Sequence, residues 1–142
     1  MLRPSSAFRG LRPEDERKRR FATADPESDA SVSDDVLEAV TEAMIALHAR
    51  YHGRAPVSAR TRMMGDDMLA VMLGDPYTDV EKTMIELQRQ ALVHETRSAF
   101  QQAMEHRFIA DVERLTGRRV VTFISTHHVG PDLELELFLF QS

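Results

Sequence analysis

The chain has 142 residues, of which 42% are hydrophobic and 29% charged, and its formal net charge is −5. This length suits one domain of ordinary size. The absence of cysteine excludes a disulfide framework, a thiolate metal site and a cysteine nucleophile. No apolar run approaches the roughly 20 residues that span a bilayer. Composition therefore predicts a soluble cytoplasmic protein with no direct insertion into a membrane.

The N-terminal segment differs in charge from the rest of the chain. Residues 1–20 hold seven basic and three acidic side chains, and residues 21–42 hold seven acidic and no basic ones. With three prolines and few large apolar residues, this segment buries too little surface to offset the entropy of ordering. We therefore predict a disordered tail over 1–30 and a folded domain over 31–142. The acidic run beside the basic cluster at 17–20 favours a solvated tail, so we expect no nucleic-acid partner.

A first helix is predicted from Ser31 or Ser33 to about Tyr51. A serine can cap the helix, and apolar residues then recur every three or four positions. Gly53 and Pro56 end the helical pattern. Period-2 alternation over 57–63 and an apolar run over 68–73, joined by a short turn, then predict an antiparallel hairpin.

Residues 78–81, Thr-Asp-Val-Glu, form a capping box that starts a second helical region. Helical patterning continues to residue 115, which would make a straight helix about 55 Å long. A domain of this size is roughly 30 Å across. The helix therefore bends or breaks between about Glu86 and Val93, or projects against a second copy. The shift of its apolar stripe favours two helices.

Two further strands are predicted over 119–125 and 133–140. In the last strand four leucines alternate with Glu134, Glu136, Phe138 and Phe140, and we expect the leucines to face inward and the glutamates outward. The element order α-β-β-α(α)-β-β predicts an α+β fold. We expect a two-layer sandwich in which an antiparallel four-stranded sheet carries helices on one face.

Signatures of catalysis are absent from the sequence. It shows no glycine-rich phosphate loop, paired-carboxylate motif or legible Ser-His-Asp order. His48 and His52 have the spacing of two metal ligands, but without a third ligand we interpret them as surface or capping residues. His127 and His128 are interpreted as loop residues. The prediction is a non-enzymatic protein with no catalytic residue, no metal and no cofactor.

Arginines are the candidate contact residues. Arg97 lies close to the apolar stripe of the long helical region, and a buried guanidinium needs a partner. Two alternatives stay open: an ion pair within the domain, or contact with an anion or another subunit. Arg60 and Arg62 in the first hairpin are further candidates for an anion or partner contact.

Five segments in order resemble the MpsC-like family, which is named after a sodium-translocating, membrane-potential-generating system of bacteria. They are residues 47–56, 77–81, 92–97, 116–120 and 137–140, with the motif positions Gly53, Pro56, Thr78, Glu81, Arg97 and Gly117. Two positions depart from the family pattern. Ala55 replaces a second glycine before the proline, and Gln90 stands near a position where the family usually has glycine.

The resemblance implies an accessory or regulatory protein linked, through a partner, to a bacterial membrane system for inorganic-carbon or sodium transport. An integral membrane protein is the expected partner. The alternative is a small anion- or ligand-binding sensor. We also expect a homodimer, because the long helical region exceeds what one domain covers and the predicted register leaves Phe138 and Phe140 on the outer side of the sheet.

Overall fold

The computed structural model describes residues 32–142, so the predicted tail over 1–30 lies outside the described residues. Residues 32–142 form three helices and four strands. In chain order these are α1 (Asp34–His52), β1 (Ser58–Met64), β2 (Met68–Gly74), α2 (Asp79–Glu86), α3 (Gln90–Thr116), β3 (Val120–His128) and β4 (Leu133–Phe140). The predicted element order is confirmed.

Helix α1 begins and ends where the sequence predicts. The Ser33 hydroxyl accepts a hydrogen bond from the Val36 N–H at 3.2 Å, and two aspartates occupy the first turn. These groups satisfy an amide at the helix N-terminus and oppose its partial positive charge. At the other end Gly53 adopts a left-handed conformation with φ of 77°, which glycine tolerates without a steric penalty.

The four strands form one antiparallel sheet in the order β1-β2-β4-β3. Helices α1 and α3 pack on one face of this sheet, which we call the inner face. The core between the two layers contains Val40, Met44 and Leu47 of α1, Leu69, Val71 and Leu73 of β2, Phe108 and Val112 of α3, and Phe138 and Phe140 of β4. The predicted α+β sandwich is therefore confirmed.

The long helical region consists of two helices. The capping box of α2 is present, because the Thr78 hydroxyl accepts from the Glu81 N–H and the Glu81 carboxylate accepts from the Thr78 N–H. Helix α2 ends at Glu86, and Gln88 has a positive φ of 63° before α3 starts at Gln90. A left-handed residue interrupts a right-handed helix. The break lies within the predicted interval.

The predicted facing of β4 is wrong. Glu134 and Glu136 are fully buried on the inner face together with Phe138 and Phe140, whereas the four leucines are half-buried on the opposite face. One alternating set of this strand is the four leucines, and the other contains two glutamates and two phenylalanines. Because both sets contain large apolar side chains, alternation alone does not determine which set enters the core. The phenylalanines face the core, and the glutamates lie on the same side of the strand as the phenylalanines.

Strand β3 is longer than predicted. It continues through His127 and His128, which the sequence placed in a loop. His127 pairs with Glu134 across the strands and Ser125 pairs with Glu136. Because residues in register share a face of the sheet, the buried glutamates have these two polar neighbours on the inner face.

The face opposite the helices is apolar at its centre; we call it the outer sheet face. It is formed by the four leucines of β4 (Leu133, Leu135, Leu137 and Leu139), by Met68, Ala70 and Met72 of β2, and by Ile124 of β3. Met72 and Ile124 are 40% and 52% exposed.

Candidate functional site

Helix α3 carries polar side chains within its buried stripe. The inward positions are Val93, Arg97, Gln101, Met104, Phe108 and Val112, spaced by three or four residues. Such spacing places all of them on one side of a helix. The C-terminal half of α3 therefore contributes apolar side chains to the core. In its N-terminal half, Arg97 and Gln101 place a charge and hydrogen-bonding groups against the sheet.

Arg97 is the largest fully buried side chain in residues 32–142, with 1% exposure. Its Nε and Nη2 donate to both oxygens of Glu81, at 2.8 and 2.6 Å, and Nη1 donates to Glu134 Oε1 at 2.9 Å. Nη2 also donates to the Pro76 carbonyl, and the guanidinium lies 5.1 Å from the centre of the Tyr77 ring. Two carboxylates thus compensate one buried cation, one of them in the two-bond geometry that suits arginine.

Glu81 has two structural roles. Its carboxylate completes the capping box of α2 and also forms the two-bond ion pair with Arg97. Burial alone would raise the pKa of Glu81, but the hydrogen bonds from Arg97 and Thr78 outweigh it and lower that pKa below its usual value. The start of α2 is therefore connected through Glu81 and Arg97 to the sheet.

His48 brings α1 to the same place. Its Nδ1 lies 2.8 Å from the Met44 carbonyl, and its Nε2 lies 2.9 Å from Glu134 Oε2 and 3.3 Å from Glu136 Oε2. Burial opposes a charge on this ring, but the two carboxylates outweigh burial and raise the pKa of His48 to about 10. The two carboxylates therefore favour the protonated form of the His48 ring.

The two glutamates have opposite protonation behaviour. Burial raises the pKa of Glu136, and the neighbouring Glu134 raises it further. Burial acts on Glu134 in the same direction, but hydrogen bonds from Glu136 and His48 lower its pKa well below the usual range. Two carboxyl groups this close cannot both be ionised at low cost, so they share a proton.

Gln101 contacts both carboxylates from α3. Its amide nitrogen lies 3.0 Å from Glu134 Oε2 and 3.0 Å from Ser125 Oγ, and it also donates to Glu136 Oε2. Together with His48, Arg97 and Glu81 these groups form what we call the inner charge cluster: His48, Glu81, Arg97, Gln101, Glu134 and Glu136. It joins α1, α2, α3 and β4.

Two buried polar atoms beside the cluster lack a hydrogen-bond partner. They are Glu136 Oε1 and His127 Nε2. The His127 nitrogen lies 3.7 Å from Glu134 Oε1, beyond hydrogen-bonding distance. Burial lowers the pKa of His127, which leaves its ring neutral. A buried polar atom without a partner is uncommon, and a bound ion or water is one way to satisfy it.

A surface groove of about 240 Å³ leads toward the cluster. It is bordered by Gln101, Ser125 and His127 and by side chains of α3 and β3, namely Ser98, Gln102, Glu105 and Phe123. Because Gln101 and Ser125 also contact the buried carboxylates, the groove ends one side chain away from Glu134 and Glu136.

The structure separates the three predicted contact arginines. Arg97 forms the ion pair within the domain, which is one of the two alternatives that its sequence position left open. Arg60 and Arg62 lie on β1 with exposed side chains, beside a different groove. Arg97 therefore shares no surface with the other two.

The motif positions of the family resemblance have mostly structural roles. Gly53 and Gly117 end α1 and α3 in left-handed conformations, and Pro56 is buried between α1 and β1. Thr78 and Glu81 form the capping box. The ion pair between Glu81 and Arg97 explains why two of these positions, far apart in sequence, belong to one arrangement.

Sequence reasoning missed four members of the cluster: His48, Gln101, Glu134 and Glu136. The sequence predicts His48 at the surface or in a helix cap, whereas it is 1% exposed. It also predicts that the two glutamates face outward, whereas both are fully buried. One signal was available, because Arg97 and Gln101 occur four residues apart in an apolar stripe. A buried arginine requires buried acidic partners on the layer that it faces.

Comparison with protein families identifies the chain. Residues 34–142 match the family described as the Na⁺-translocating membrane potential-generating system (MpsC). The matched region includes all three helices and all four strands, and the chain belongs to this family. No curated protein and no solved structure matches the chain. None of the helices within residues 32–142 is both long and apolar enough to cross a membrane.

Proposed function

We propose that the chain is a cytoplasmic, non-enzymatic accessory or regulatory protein that forms a homodimer and acts through a protein partner. The family description supports a link to a membrane system that moves sodium and generates a membrane potential. As the resemblance implies, the partner is an integral membrane protein of a system for sodium or inorganic-carbon transport. The observation that carries the proposal is the outer sheet face.

The outer sheet face has the chemistry of an interface. Met72 pairs with Leu135, and Ala70 pairs with Leu137, so the two central strands present one continuous apolar strip. Charged side chains are depleted at the centres of protein interfaces in the same way. Arg60 and Arg62 lie at the β1 edge, where a rim charge stays hydrated.

A second copy is the occupant that fits this strip. In a two-fold symmetric contact one patch meets itself, and an apolar sheet face can pack on a second copy of itself, as two sheets pack face to face. The dimer would leave the helical layer of each copy available to the membrane partner.

The helical layer offers apolar side chains for that partner. Val80 and Leu87, at the two ends of α2, are 73% and 63% exposed. Affinity purification of the tagged chain followed by mass spectrometry is expected to recover an integral membrane protein. A Val80→Ser/Leu87→Ser variant is expected to lose it, while Val57→Ser, at an exposed position outside α2, retains it.

Deletion of the gene provides a second test of the proposal. We expect slower growth in ordinary air than in CO2-enriched air, because a system that supplies inorganic carbon matters most when CO2 is scarce. Recovery of only soluble partners, together with growth that does not depend on CO2, would contradict the membrane link.

A sensor of small anions is the second candidate function. A groove of about 500 Å³ is bordered by Arg60, Arg62 and Thr41, with Asp34 and Glu38 on its α1 side. A thermal-shift screen with bicarbonate, phosphate and nucleotides distinguishes the two functions. A ligand at 100 times its dissociation constant stabilises the protein by about 2.7 kcal/mol, whereas a pure interaction module gives no shift.

A further inference from the structure

Three hydrogen-bond acceptors converge inside the inner charge cluster. The Met44 carbonyl can only accept a hydrogen bond, so His48 Nδ1 carries a hydrogen toward it. In neutral imidazole the other nitrogen, Nε2, then carries a lone pair. That lone pair faces Glu134 Oε2 and Glu136 Oε2. Three acceptors in contact require a cation between them, either protons or a metal ion.

The distances among these atoms fit metal coordination. His48 Nε2 lies 2.9 Å from one carboxylate oxygen and 3.3 Å from the other. Ligands at about 2.1 Å from a metal ion are separated by roughly 3.0 Å at right angles and 3.4 Å at the tetrahedral angle. Within residues 32–142, one set of histidine and acidic side chains brings a potential ligand atom from each member within 4.8 Å of the others. This set is His48, Glu134 and Glu136.

Charge balance allows the same two solutions, protons or a metal ion. Arg97 contributes one positive charge, and Glu81, Glu134 and Glu136 contribute three negative charges when ionised. With His48 protonated and one proton shared by Glu134 and Glu136, the cluster is neutral; removal of both protons leaves an excess of two negative charges in a buried space. Uncompensated buried charge is costly. One divalent cation removes the excess.

The groups around these three residues are arranged as an outer coordination shell. The contact of His48 Nδ1 with a backbone carbonyl is the usual way in which a metal-binding histidine is oriented. Arg97 donates to Glu134 Oε1, which leaves Oε2 directed at His48. Glu136 Oε1 is buried without a partner, so this carboxylate has unused ligand capacity.

The groove beside α3 provides a route for an ion. Gln101 stands between the groove and the carboxylates and donates its amide to both of them. Rotation of this amide by half a turn replaces its NH2 group with its oxygen, which is a suitable ligand for a cation. Gln101 is therefore the side chain through which the groove contacts the two carboxylates.

We propose that His48 Nε2, Glu134 and Glu136 bind one divalent first-row transition-metal ion, such as Zn²⁺, Mn²⁺ or Co²⁺. The imidazole nitrogen favours this class over Na⁺, Mg²⁺ or Ca²⁺, which prefer oxygen ligands. The inference goes beyond the proposed function and does not depend on it, because the site lies within one copy and uses no residue of the outer sheet face.

Metal titration tests the proposal directly. Wild-type protein freed of metal with a chelator is expected to bind one equivalent of Zn²⁺ or Co²⁺ by calorimetry, and neither Na⁺ nor Mg²⁺ at the same concentration. Glu136→Gln is expected to lower the affinity at least about tenfold, since even outer-shell changes cost this much. The matched control is Glu105→Gln, at the edge of the groove, which is expected to bind as the wild type does.

A second measurement keeps the test valid if Glu136→Gln fails to fold. Crystals of the wild-type protein with Co²⁺ are expected to show an anomalous-scattering peak between His48 and the two glutamates. A peak at other histidines, no binding of Zn²⁺ or Co²⁺, equal binding by Glu136→Gln, or a preference for Na⁺ would each overturn the proposal.

Discussion

Arg97, the largest fully buried side chain in residues 32–142, depends on its partners. A buried guanidinium is tolerated only when its charge and its N–H groups are compensated. Glu81, Glu134 and the Pro76 carbonyl accept four hydrogen bonds from it. The ring of Tyr77 covers its face. This single side chain therefore connects α3 with the start of α2 and with the central strand β4.

Arg97→Met should reveal the strength of this connection. The variant keeps much of the side-chain volume but leaves the buried Glu134 and the partly buried Glu81 without their cation, so we expect a loss of about 3–5 kcal/mol in the free energy of unfolding. Chemical denaturation measures the change. The control Arg62→Met, at an exposed position, is expected to stay within about 0.5 kcal/mol of the wild type. A loss below about 1 kcal/mol for Arg97→Met would contradict the buried ion pair.

Glu81 should make the stability depend on pH in the acid range. Its pKa is lowered in the folded protein from the ordinary value of 4.5. Between the two values the unfolded chain binds more protons, so the stabilisation is complete above about pH 4.5 and is lost as the pH falls through the folded value. The stability difference between the wild type and Glu81→Gln should therefore be largest near neutrality and shrink below about pH 4.5.

Denaturation at a series of pH values gives this difference. Glu86→Gln, at the exposed end of the same helix, is the matched control and should stay within about 0.5 kcal/mol of the wild type at neutral pH. A difference for Glu81→Gln that is constant from pH 7 to pH 3 would show that the charge on Glu81 contributes nothing.

The sequence predicts part of this chemistry at the level of residues. It indicates that Glu81 caps a helix and that a buried Arg97 needs a partner, because both rules are local. It does not show that the two residues meet, since 16 positions separate them. His48 was misjudged for a similar reason: the carboxylates that bury and charge it lie 86 and 88 positions away.

Among the elements, β4 shows where sequence patterns fail. Its period of two identifies a strand, but the leucine set and the set containing the phenylalanines are both apolar enough to face a core. Hydrophobicity favours placing the leucines inward and the glutamates in water. The glutamates nevertheless face inward, because Arg97, His48 and Gln101 on the helices form ion pairs and hydrogen bonds with Glu134 and Glu136. That compensation exists only in the folded protein.

The break between α2 and α3 was predictable, because a continuous helix would be too long and its apolar stripe shifts. At the break Gln88 adopts a left-handed backbone conformation, with φ of 63°, which is sterically unfavourable for a residue with a side chain. Glycine tolerates this conformation better than other residues. Gln88→Gly should therefore leave the stability unchanged or raise it by up to about 1 kcal/mol.

The matched control for this prediction is Gln102→Gly, at an exposed position inside α3. There glycine only weakens the helix, so we expect a loss of about 1 kcal/mol. Thermal or chemical denaturation compares the two variants. An equal loss for Gln88→Gly would indicate that residue 88 is helical and that α2 and α3 form one continuous helix.

At the scale of the whole molecule, the two faces of the sheet differ in what covers them. The inner face is closed by helices and contains the charge cluster, whereas the outer sheet face has no covering layer in residues 32–142. One sequence argument for a homodimer was wrong, because Phe138 and Phe140 are buried within their own copy. The homodimer remains our proposal, but the half-buried leucines of β4 now provide the contact.

The molar mass in solution tests this account most directly. One copy has a mass of 16.2 kDa. Light scattering coupled to size-exclusion chromatography at micromolar concentration should give twice this value for the wild type, about 32 kDa for an isologous pair. Leu135→Glu, in the centre of the outer sheet face, should give one copy, while Val80→Glu on α2 should give two. A wild-type mass of one copy, or a Leu135→Glu protein that stays dimeric, would contradict the assignment of this face as the interface.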